Sequence, residues 1–439
     1  MPNVVILGGG FAGFSAAREL QRRRKRVRDL HVTLVDRNNF MLFTPMLPEA
    51  ATGAVEVEHI VQAFRASLRA VQFELGEVAD VDEDARRVHV RHPLTHEVRA
   101  LDYDELVFAL GSTPSTLGIE GVERWTLPLH SIADAQRVRN AVIGAIEVAA
   151  RTNDVVERDR LLRFVLVGGG FTGVESAGEL TAFIHAIVRY YPVDRRAVEI
   201  VLVENKDRLL LELPERFGKY AARSLRDRGV RLALGEGVKS VDENGVTLAG
   251  GGRLESRTIL WDAGVEPSPF VKRLGLKTSR HAAIVVGPDF SVPNHPHLWA
   301  IGDCAAVPKK DGGTYAPLAQ NAVREGPLLA RNVIARLRGR RTRGFAYREL
   351  GQMASLGNRR ALAELPGGRM LTGAAAWVLW RGYYLGQLPG TQNKTRVALD
   401  WMLGCAFSPS LARLPMVPFV LRQAQDDRGG AHDDREGWG

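Results

Sequence analysis

A glycine-rich motif occurs twice in this chain of 439 residues, and this repeat constrains the fold more than any other feature. The segments GGGFAGFSAAREL (8–20) and GGGFTGVESAGEL (168–180) agree at eight of thirteen positions and lie 160 residues apart. Each copy follows a short apolar run rich in β-branched residues and opens a helical stretch, which is the strand–turn–helix setting that such a motif requires. The sequence therefore predicts two α/β units of one kind.

The spacing of the glycines is typical of a dinucleotide-binding loop. In G-x-G-x-x-G the first Gly makes a tight turn, the second lets the backbone approach a pyrophosphate, and the third allows helix and strand to pack closely. The helix N-terminus behind the loop then offers backbone amides to the anion. One such loop is equally compatible with a flexible turn, but two copies in matching context favour dinucleotide binding. The three roles fall on Gly8, Gly10 and Gly13 in the first copy and on Gly168, Gly170 and Gly173 in the second.

A second predicted strand in each unit ends on a carboxylate, HVTLVD at Asp36 and VEIVLVE at Glu204. Carboxylates at these positions accept hydrogen bonds from ribose hydroxyls. Glu204 would repel a 2′-phosphate and so favours NADH over NADPH, although Lys206 and Arg208 are close enough in sequence to soften that preference. Two dinucleotide sites predict electron transfer between two cofactors, and their order suggests FAD on the first unit and NAD(H) on the second.

Turn signals predict antiparallel hairpins around the two units. Asp82-Glu83-Asp84 separates two β-branched runs, and Asn244-Gly245 is a strong two-residue turn signal between two others. The helix after the second loop is expected to run from Gly173 to about Tyr191, because Pro192 then breaks it.

Composition excludes several classes of protein. The two cysteines, Cys304 and Cys405, cannot form a metal cluster or a C-x-x-C dithiol, so we expect no metal site and a reducing, cytoplasmic setting. No window approaches the ~18 consecutive apolar residues of a spanning helix, and the N-terminus lacks a secretory signal. The net charge of +9 is compatible with nucleic acid, an anionic membrane surface or anionic cofactors. The basic run 22–26 stands beside no nucleic-acid-binding motif, so we expect no nucleic-acid partner.

Seven segments in one order resemble those of the type II NADH dehydrogenases, the single-chain NADH:quinone oxidoreductases among the flavoproteins with two dinucleotide-binding domains. The resemblance covers roughly residues 1–420. The segments are VVILGGGFAG (4–13), LVDRNNFMLFTPMLPEAATG (34–53), LVFALGSTPS (106–115), FVLVGGGFTGVESAGEL (164–180), ILWDAGVEPSP (259–269), LWAIGDCAAV (298–307) and YAPLAQNAVREG (315–326).

The resemblance implies roles for individual residues. For FAD it implies binding by the first loop and its flanking residues, by Thr44 near the flavin ring, by the backbone at Val78 near the adenine, and by Asp303 on the ribityl chain. For NADH it implies binding by the second loop, Glu204 and Gly264. The implied FAD residues are Gly8, Gly9, Gly10, Phe11, Ala12, Gly13, Asp36, Arg37, Thr44, Val78, Ala109, Gly111, Asp303, Ala319 and Gln320, and the implied NADH residues are Gly168, Gly169, Gly170, Gly173, Glu175, Glu204 and Gly264.

Three residues are predicted to act in the reaction. Glu175 stands where the first copy has Ser15, and the resemblance places it beside the nicotinamide; the alternative is a solvated glutamate favoured by the helix dipole. Gln320 matches a residue at the junction of flavin and quinone pocket. Arg324 replaces a second Gln of many family members, and it is compatible either with binding a quinone oxygen or with an ion pair to Glu325 or another acid.

The C-terminal region is predicted to contain two amphipathic helices, 373–388 and 395–407, separated by Pro389-Gly390. Their aromatic residues and the basic border of Arg381, Lys394 and Arg396 are typical of helices that lie in a membrane interface. The same periodicity fits a pair packed on the protein's own core or in a homodimer contact. The resemblance favours docking on the cytoplasmic face of the cell membrane, where a quinone is reached. The residues predicted to face the membrane are Trp377, Trp380, Tyr384 and Trp401.

The expected fold is α/β, with two Rossmann-like domains for FAD and NADH and a C-terminal helical membrane-docking region. The scarcity of cysteine argues against sulfide:quinone oxidoreductases and disulfide reductases. Two other functions stay open, a soluble NAD(P)H:acceptor reductase such as a ferredoxin reductase, and a flavin-binding regulatory protein. The predicted divisions are FAD domain 1–115 and 266–345, NADH domain 116–265, C-terminal region 346–422 and a disordered tail 423–439.

Overall fold

The computed structural model describes residues 1–347 and 351–414, so the predicted tail 423–439 lies outside the described residues. The helices in this part of the chain are, in order, α1 Phe11–Arg23, α2 Leu47–Thr52, α3 Phe64–Ser67, α4 Val122–Trp125, α5 Ile132–Ala149, α6 Val155–Leu162, α7 Phe171–Ile187, α8 Glu215–Arg226, α9 Phe270–Arg273, α10 Ala319–Leu337, α11 Gly373–Gln387 and α12 Thr391–Ala406.

The first glycine loop lies at the end of a strand in a six-stranded sheet. Asn3–Leu7 pairs in parallel with His31–Asp36 on one side and Glu105–Phe108 on the other. Its four residues after Asn3 are fully buried, as expected for a parallel strand covered by helices on both faces. The spatial order of the sheet is Ser291–Val292, His295–Ala300, Glu105–Phe108, Asn3–Leu7, His31–Asp36 and Gln72–Leu75.

The second glycine loop occupies the equivalent place in a five-stranded parallel sheet. Arg163–Val167 is central and pairs with Glu199–Glu204 and Thr258–Trp261. The two predicted α/β units are therefore present, each with the loop between its first strand and helix. The spatial order of this sheet is Leu127–Pro128, Thr258–Trp261, Arg163–Val167, Glu199–Glu204 and Val230–Leu234.

Antiparallel pairs surround the two sheets, and both predicted hairpins are among them. Glu77–Asp82 pairs with Arg87–Arg91, and Val238–Asp242 pairs with Gly245–Leu248. A short antiparallel pair, Ser112–Pro114 with Val265–Pro267, joins the two segments that connect the two α/β units. The remaining antiparallel or minor strands are Val98–Asp102, Arg253–Glu255, Phe40–Leu42 with Val61–Ala63, and Ile284–Val285 with Ala305–Ala306.

The C-terminal region consists of a three-stranded antiparallel sheet followed by α11 and α12. Pro389 and Gly390 separate the two helices as predicted, and Gly390 adopts φ +81°, a conformation that favours glycine. Across residues 1–347 and 351–414, every helix is too short or too polar to span a bilayer. The strands of this sheet are Met353–Ser355, Ala361–Leu365 and Arg369–Thr372.

The predicted membrane-facing stripe of α11 and α12 faces the protein interior instead, so that prediction is wrong. Trp380 is 1% exposed and Trp401 is 7% exposed, and their ring centroids lie 6.5 Å apart. The ring centroid of Tyr384 lies 4.7 Å from that of Trp380 and 6.0 Å from that of Phe43, which precedes α2. The half-buried Trp377 also packs against the core. The alternative that these side chains pack on the protein's own core is therefore the correct one, because the sheet and α2 cover that face.

Candidate active site

The first glycine loop holds the carboxylate of Asp36 beside the start of α1. Asp36 accepts hydrogen bonds from the backbone N–H groups of Gly9 at 2.6 Å and Asn38 at 2.7 Å. Burial raises the pKa of this carboxyl. Each carboxylate oxygen retains a lone pair, so the group can accept further bonds from ribose hydroxyls.

The second loop repeats this arrangement around Glu204. Its carboxylate accepts from the backbone N–H groups of Gly169 at 2.5 Å and Lys206 at 2.9 Å. Arg208, which the sequence left as a possible partner for a 2′-phosphate, is engaged elsewhere. Its guanidinium donates to three main-chain carbonyls of its own loop, those of Leu210, Leu211 and Leu213.

Both glycine loops leave room for a dinucleotide at the second glycine of the motif. In each loop the third glycine is required by packing, because a Cβ there would overlap the carbonyl oxygen of the first glycine. The second glycine of the G-x-G-x-x-G motif, Gly10 or Gly170, has no such packing constraint. Apart from the adjoining residues, no protein atom lies within 4 Å of a Cβ built on Gly10 or Gly170, and their φ angles of −66° and −74° suit any residue. Neither packing nor backbone conformation requires glycine there, so the open space at the helix N-terminus fits a pyrophosphate.

A cavity of 2320 Å³ joins the first loop to α7, α10 and the C-terminal region. This volume exceeds the ~300–1,000 Å³ of an ordinary ligand site, so more than one large molecule fits. The predicted residues that line it are Gly8, Gly9, Gly10, Phe11, Ala12, Asp36, Arg37, Thr44, Val78, Ala109, Gly111, Glu175, Asp303, Ala319, Gln320 and Arg324. The predicted residues that do not line it are Gly13, Gly168, Gly169, Gly170, Gly173, Glu204 and Gly264.

Asp303 lies in the cavity wall, just beyond the strand His295–Ala300. Its carboxylate accepts a 2.7 Å hydrogen bond from the hydroxyl of Ser112, and burial raises its pKa. The neighbouring Gly302 donates its backbone N–H at 2.7 Å to Glu325 of α10. Glu325 is thereby committed to fixing the loop that carries Asp303.

Gln320 and Arg324 line the cavity from the first turns of α10. The guanidinium of Arg324 lies 4.3 Å from the ring centroid of Tyr347 and donates at 2.6 Å to the carbonyl oxygen of Gln320. Within residues 1–347 and 351–414, Arg324 forms no ion pair, with Glu325 or with any other acid. Among the described residues Arg324 instead stacks on an aromatic ring, a contact that the sequence did not predict.

Glu175 is buried, 8% exposed, although it lies in the first turns of α7. One of its carboxylate oxygens accepts from the backbone N–H of Ser355 at 2.9 Å and from the indole N–H of Trp380 at 3.3 Å. Burial raises the pKa of Glu175 to about 8. The alternative of a solvated glutamate is wrong, because the C-terminal region covers this side chain.

Glu175 has charged neighbours that the sequence did not predict. The buried Glu49 of α2 and the half-buried Glu179 of α7 lie beside it, and Arg381 of α11 lies among them. Burial raises the pKa of Glu49 to about 8 and also raises the pKa of Glu179. Glu49 lies in the segment 34–53 and Glu179 in the segment 164–180, both of which carry the family resemblance. Nothing in the sequence indicates that these two segments meet.

The fold and the two loops define a flavoprotein with two dinucleotide-binding domains, and comparisons with known proteins agree. The model of the pyridine nucleotide-disulphide oxidoreductase family matches residues 2–326. The model of the NDH2 C-terminal domain matches residues 350–408. The chain belongs to the type II NADH dehydrogenase family. This membership confirms the predicted α/β fold and the predicted cofactor pair, FAD and NADH.

Similar proteins come from a bacterium, a plant and Plasmodium falciparum. A type II NADH:quinone oxidoreductase, Ndh, of Mycobacterium tuberculosis is 31% identical, with 91% of this chain and 87% of the relative covered. An internal alternative NAD(P)H-ubiquinone oxidoreductase of Arabidopsis thaliana is 31% identical, with 94% and 86% covered. The structure of NDH2 from Plasmodium falciparum in complex with NADH superposes with a TM-score of 0.87 at 20% identity, covering 94% of this chain and 99% of that one.

Proposed function

We propose that this chain oxidises NADH through bound FAD and reduces a quinone, without pumping protons. The observation that supports this most directly is the continuity of the cavity. It extends from the first glycine loop, past Glu175 at the start of α7, to Leu379 and Tyr384 of the C-terminal region. A nicotinamide donor and an apolar acceptor can therefore both approach one flavin.

The residues of the chain bind and orient, and FAD, when bound, supplies the two-electron chemistry. Asp36 and the α1 amides would hold the FAD adenosine and pyrophosphate, and Asp303 would accept from the ribityl hydroxyls. Glu175 would orient the nicotinamide from the α7 side. Gln320 can donate and accept hydrogen bonds, so it would fix the acceptor carbonyl or the flavin at the opposite wall.

An anaerobic titration of the purified holoenzyme tests this function. NADH should bleach the flavin spectrum, and a short-chain quinone added afterwards should restore it with two electrons per flavin. Reduction by NADH without reoxidation by quinone would favour a soluble reductase for a protein acceptor. A flavin that NADH does not reduce would favour the regulatory alternative and contradict the proposal.

The structure also supports membrane docking, through exposed apolar side chains of the C-terminal region other than the predicted tryptophans and tyrosine. Among these side chains, Met402 is 62% exposed and Phe407 is 69% exposed. Leu379 is both part of this exposed set and part of the cavity wall, so the cavity opens beside it. We call this set the docking face, formed by Val378, Leu379, Leu399, Met402, Leu403, Phe407 and Leu414. It would place the quinone side of the cavity against a lipid surface.

The triple variant Met402→Ser, Leu403→Ser, Phe407→Ser should lose binding to vesicles of phosphatidylcholine and phosphatidylglycerol. Each apolar side chain buried in lipid contributes roughly 1.5–3 kcal/mol, so the partition constant should fall more than about 100-fold. Reduction of a water-soluble quinone should persist, because none of the three lines the cavity. Co-sedimentation measures binding.

A matched control replaces three exposed valines elsewhere, Val148, Val155 and Val156, with serine. Equal sedimentation of the docking-face variant and the wild type would overturn the docking proposal. Loss of binding in the control as well would show that general surface hydrophobicity is responsible.

Glu204→Gln should weaken the preference for NADH over NADPH. Wild-type Glu204 presents two acceptor oxygens to backbone N–H groups and a negative charge to the 2′-position, whereas glutamine retains one acceptor and no charge. We expect the ratio of kcat/KM for NADH to that for NADPH to fall roughly tenfold, about 1.4 kcal/mol. Asp207→Asn is the control, since it removes an exposed charge nearby. An unchanged ratio in Glu204→Gln would contradict the assigned role.

Attachment to the cytoplasmic face of the cell membrane, assembly as a homodimer and the exact domain limits are part of the same proposal. The docking face supports peripheral attachment. Limited proteolysis, sedimentation equilibrium and protease protection in oriented membranes would test these three points separately.

A further inference from the structure

A cluster of buried and half-buried charged groups lies where three parts of the chain meet. Glu49 comes from α2, Glu175 and Glu179 come from successive turns of α7, and Arg381 comes from α11. The carboxylate of Glu49 lies 3.7 Å from the Arg381 guanidinium and accepts a 3.2 Å bond from the indole N–H of Trp401. The FAD-side domain, the NADH-side domain and the C-terminal region thus all contribute to one charge cluster.

Arg381 is fixed in this cluster by two indole rings. Its guanidinium carbon lies 3.9 Å from the ring centroid of Trp377 and 4.5 Å from that of Trp401. Planar guanidinium groups stack on aromatic faces in a way that an ammonium does not, so arginine is specifically suited to this position. The predicted role of Arg381 in a basic membrane border is wrong, because the side chain is held inside.

The C-terminal region also holds the two glutamates of α7. Ser355 donates its backbone N–H to Glu175 and its hydroxyl, at 2.9 Å, to Glu179. Trp380, the residue before Arg381, donates its indole N–H to Glu175. Trp380 and Arg381 are adjacent on α11. Trp380 contacts Glu175, which lies in the part of the cavity wall assigned to the nicotinamide and called here the nicotinamide wall, and Arg381 contacts Glu49 of α2.

Three carboxylates close together disfavour each other's ionisation, and a nearby cation opposes this effect. Burial raises the pKa values of all three, and the charge of Arg381 lowers those of Glu49 and Glu179. The ionisable and charged groups that face this cluster from the packed elements are Glu49, Glu175, Glu179, Arg228, Arg359, Arg381, Tyr384 and Cys405.

We propose that Arg381 is a positioning residue for the reaction with NADH, acting through this cluster to set the charge of the nicotinamide wall. The C-terminal region would then tune hydride transfer in addition to docking the protein. The inference rests on the proposed NADH oxidation, because it concerns the ionisation of Glu175 beside the nicotinamide.

The test is the pH dependence of flavin reduction by NADH, followed by anaerobic stopped-flow with the holoenzyme. Arg381 lowers the pKa values of Glu49 and Glu179, so Arg381→Met should leave these two carboxyls more protonated. Because their negative charges raise the pKa of Glu175, the midpoint of the profile should then move to lower pH. Arg381→Lys should show only part of this shift, because lysine keeps the positive charge but loses the stacking on the indole rings. Arg396→Met, an exposed arginine on α12, is the control and should leave the midpoint in place.

A second variant protects the test against misfolding. In the wild type the indole N–H of Trp401 donates to Glu49, and this hydrogen bond lowers the pKa of Glu49. Trp401→Phe retains an aromatic ring but removes the hydrogen bond. Loss of this bond raises the pKa of Glu49, so the charge of Glu49 raises the pKa of Glu175 less, and the midpoint should also move to lower pH. Wild-type midpoints in both Arg381→Met and Trp401→Phe would overturn the inference while NADH oxidation stands. Failure of NADH to reduce the wild-type flavin would overturn the proposed function instead.

Discussion

Gly170→Val should give a folded, yellow protein whose flavin NADH no longer reduces. Apart from the adjoining residues, no protein atom lies within 4 Å of the position of the valine Cβ, and the φ of −74° is unstrained, so the fold should tolerate the substitution. The same side chain would keep a pyrophosphate from the α7 amides. Loss of two charge-assisted hydrogen bonds at ~1.5 kcal/mol each predicts a fall in NADH affinity of more than about 100-fold. Anaerobic titration of the flavin absorbance with NADH measures it.

The repeat provides its own control in Gly10→Val. The geometry is equivalent, with no atom within 4 Å apart from the adjoining residues and with φ −66°, but the site is the one assigned to FAD. This variant should purify without flavin yet keep NADH binding, measurable by calorimetry. If Gly170→Val were reduced by NADH as fast as the wild type, or if Gly10→Val retained FAD, the assignment of the two loops would be wrong.

Glu175→Ala should slow flavin reduction by NADH about 10- to 100-fold. The substitution removes the acceptor for the Ser355 N–H and the Trp380 indole N–H, and each buried donor left unpaired destabilises the local structure by about 1–3 kcal/mol. This part of the cavity wall is the one proposed to orient the nicotinamide, so the rate should fall with it. Stopped-flow measurement at saturating NADH separates this effect from weaker binding. Glu215→Ala is the control, because Glu215 is an exposed glutamate in the first turn of α8.

Glu175→Gln distinguishes charge from hydrogen bonding. Since the pKa of Glu175 is raised to about 8, the wild-type carboxyl is neutral below that pH and ionised above it. Glutamine keeps an acceptor oxygen but does not titrate, so its rate should match the acidic limb of the wild type and lose the change near pH 8. Unchanged rates in Glu175→Ala would contradict a role at the nicotinamide.

The local features of this protein were predictable because they depend on neighbouring residues. A glycine loop between a β-branched run and a helix specifies its own turn, and Asn244-Gly245 specifies its own hairpin. Asp36 and Glu204 were placed correctly at strand ends, where each accepts two backbone N–H bonds from residues close to its loop. The departure at Arg324 was also visible, although its stacking on Tyr347 was not.

The orientation of the C-terminal helices was not predictable in this way. A helical stripe of tryptophan and tyrosine looks the same whether lipid or protein covers it, since both are apolar. Here the buried indole N–H groups of Trp380 and Trp401 require acceptors, and Glu175 and Glu49 provide them. The acceptors belong to segments hundreds of residues away.

The sequence by itself determined the two dinucleotide-binding units, their order and the family, because short-range spacing dictates a strand–turn–helix loop. Tertiary structure alone decided which side chains meet in the cavity, which face of α11 and α12 is exposed, and that Arg381 lies among Glu49, Glu175 and Glu179. The physical reason is burial: desolvation, pKa values and hydrogen-bond partners depend on contacts between distant segments, and no local pattern encodes them.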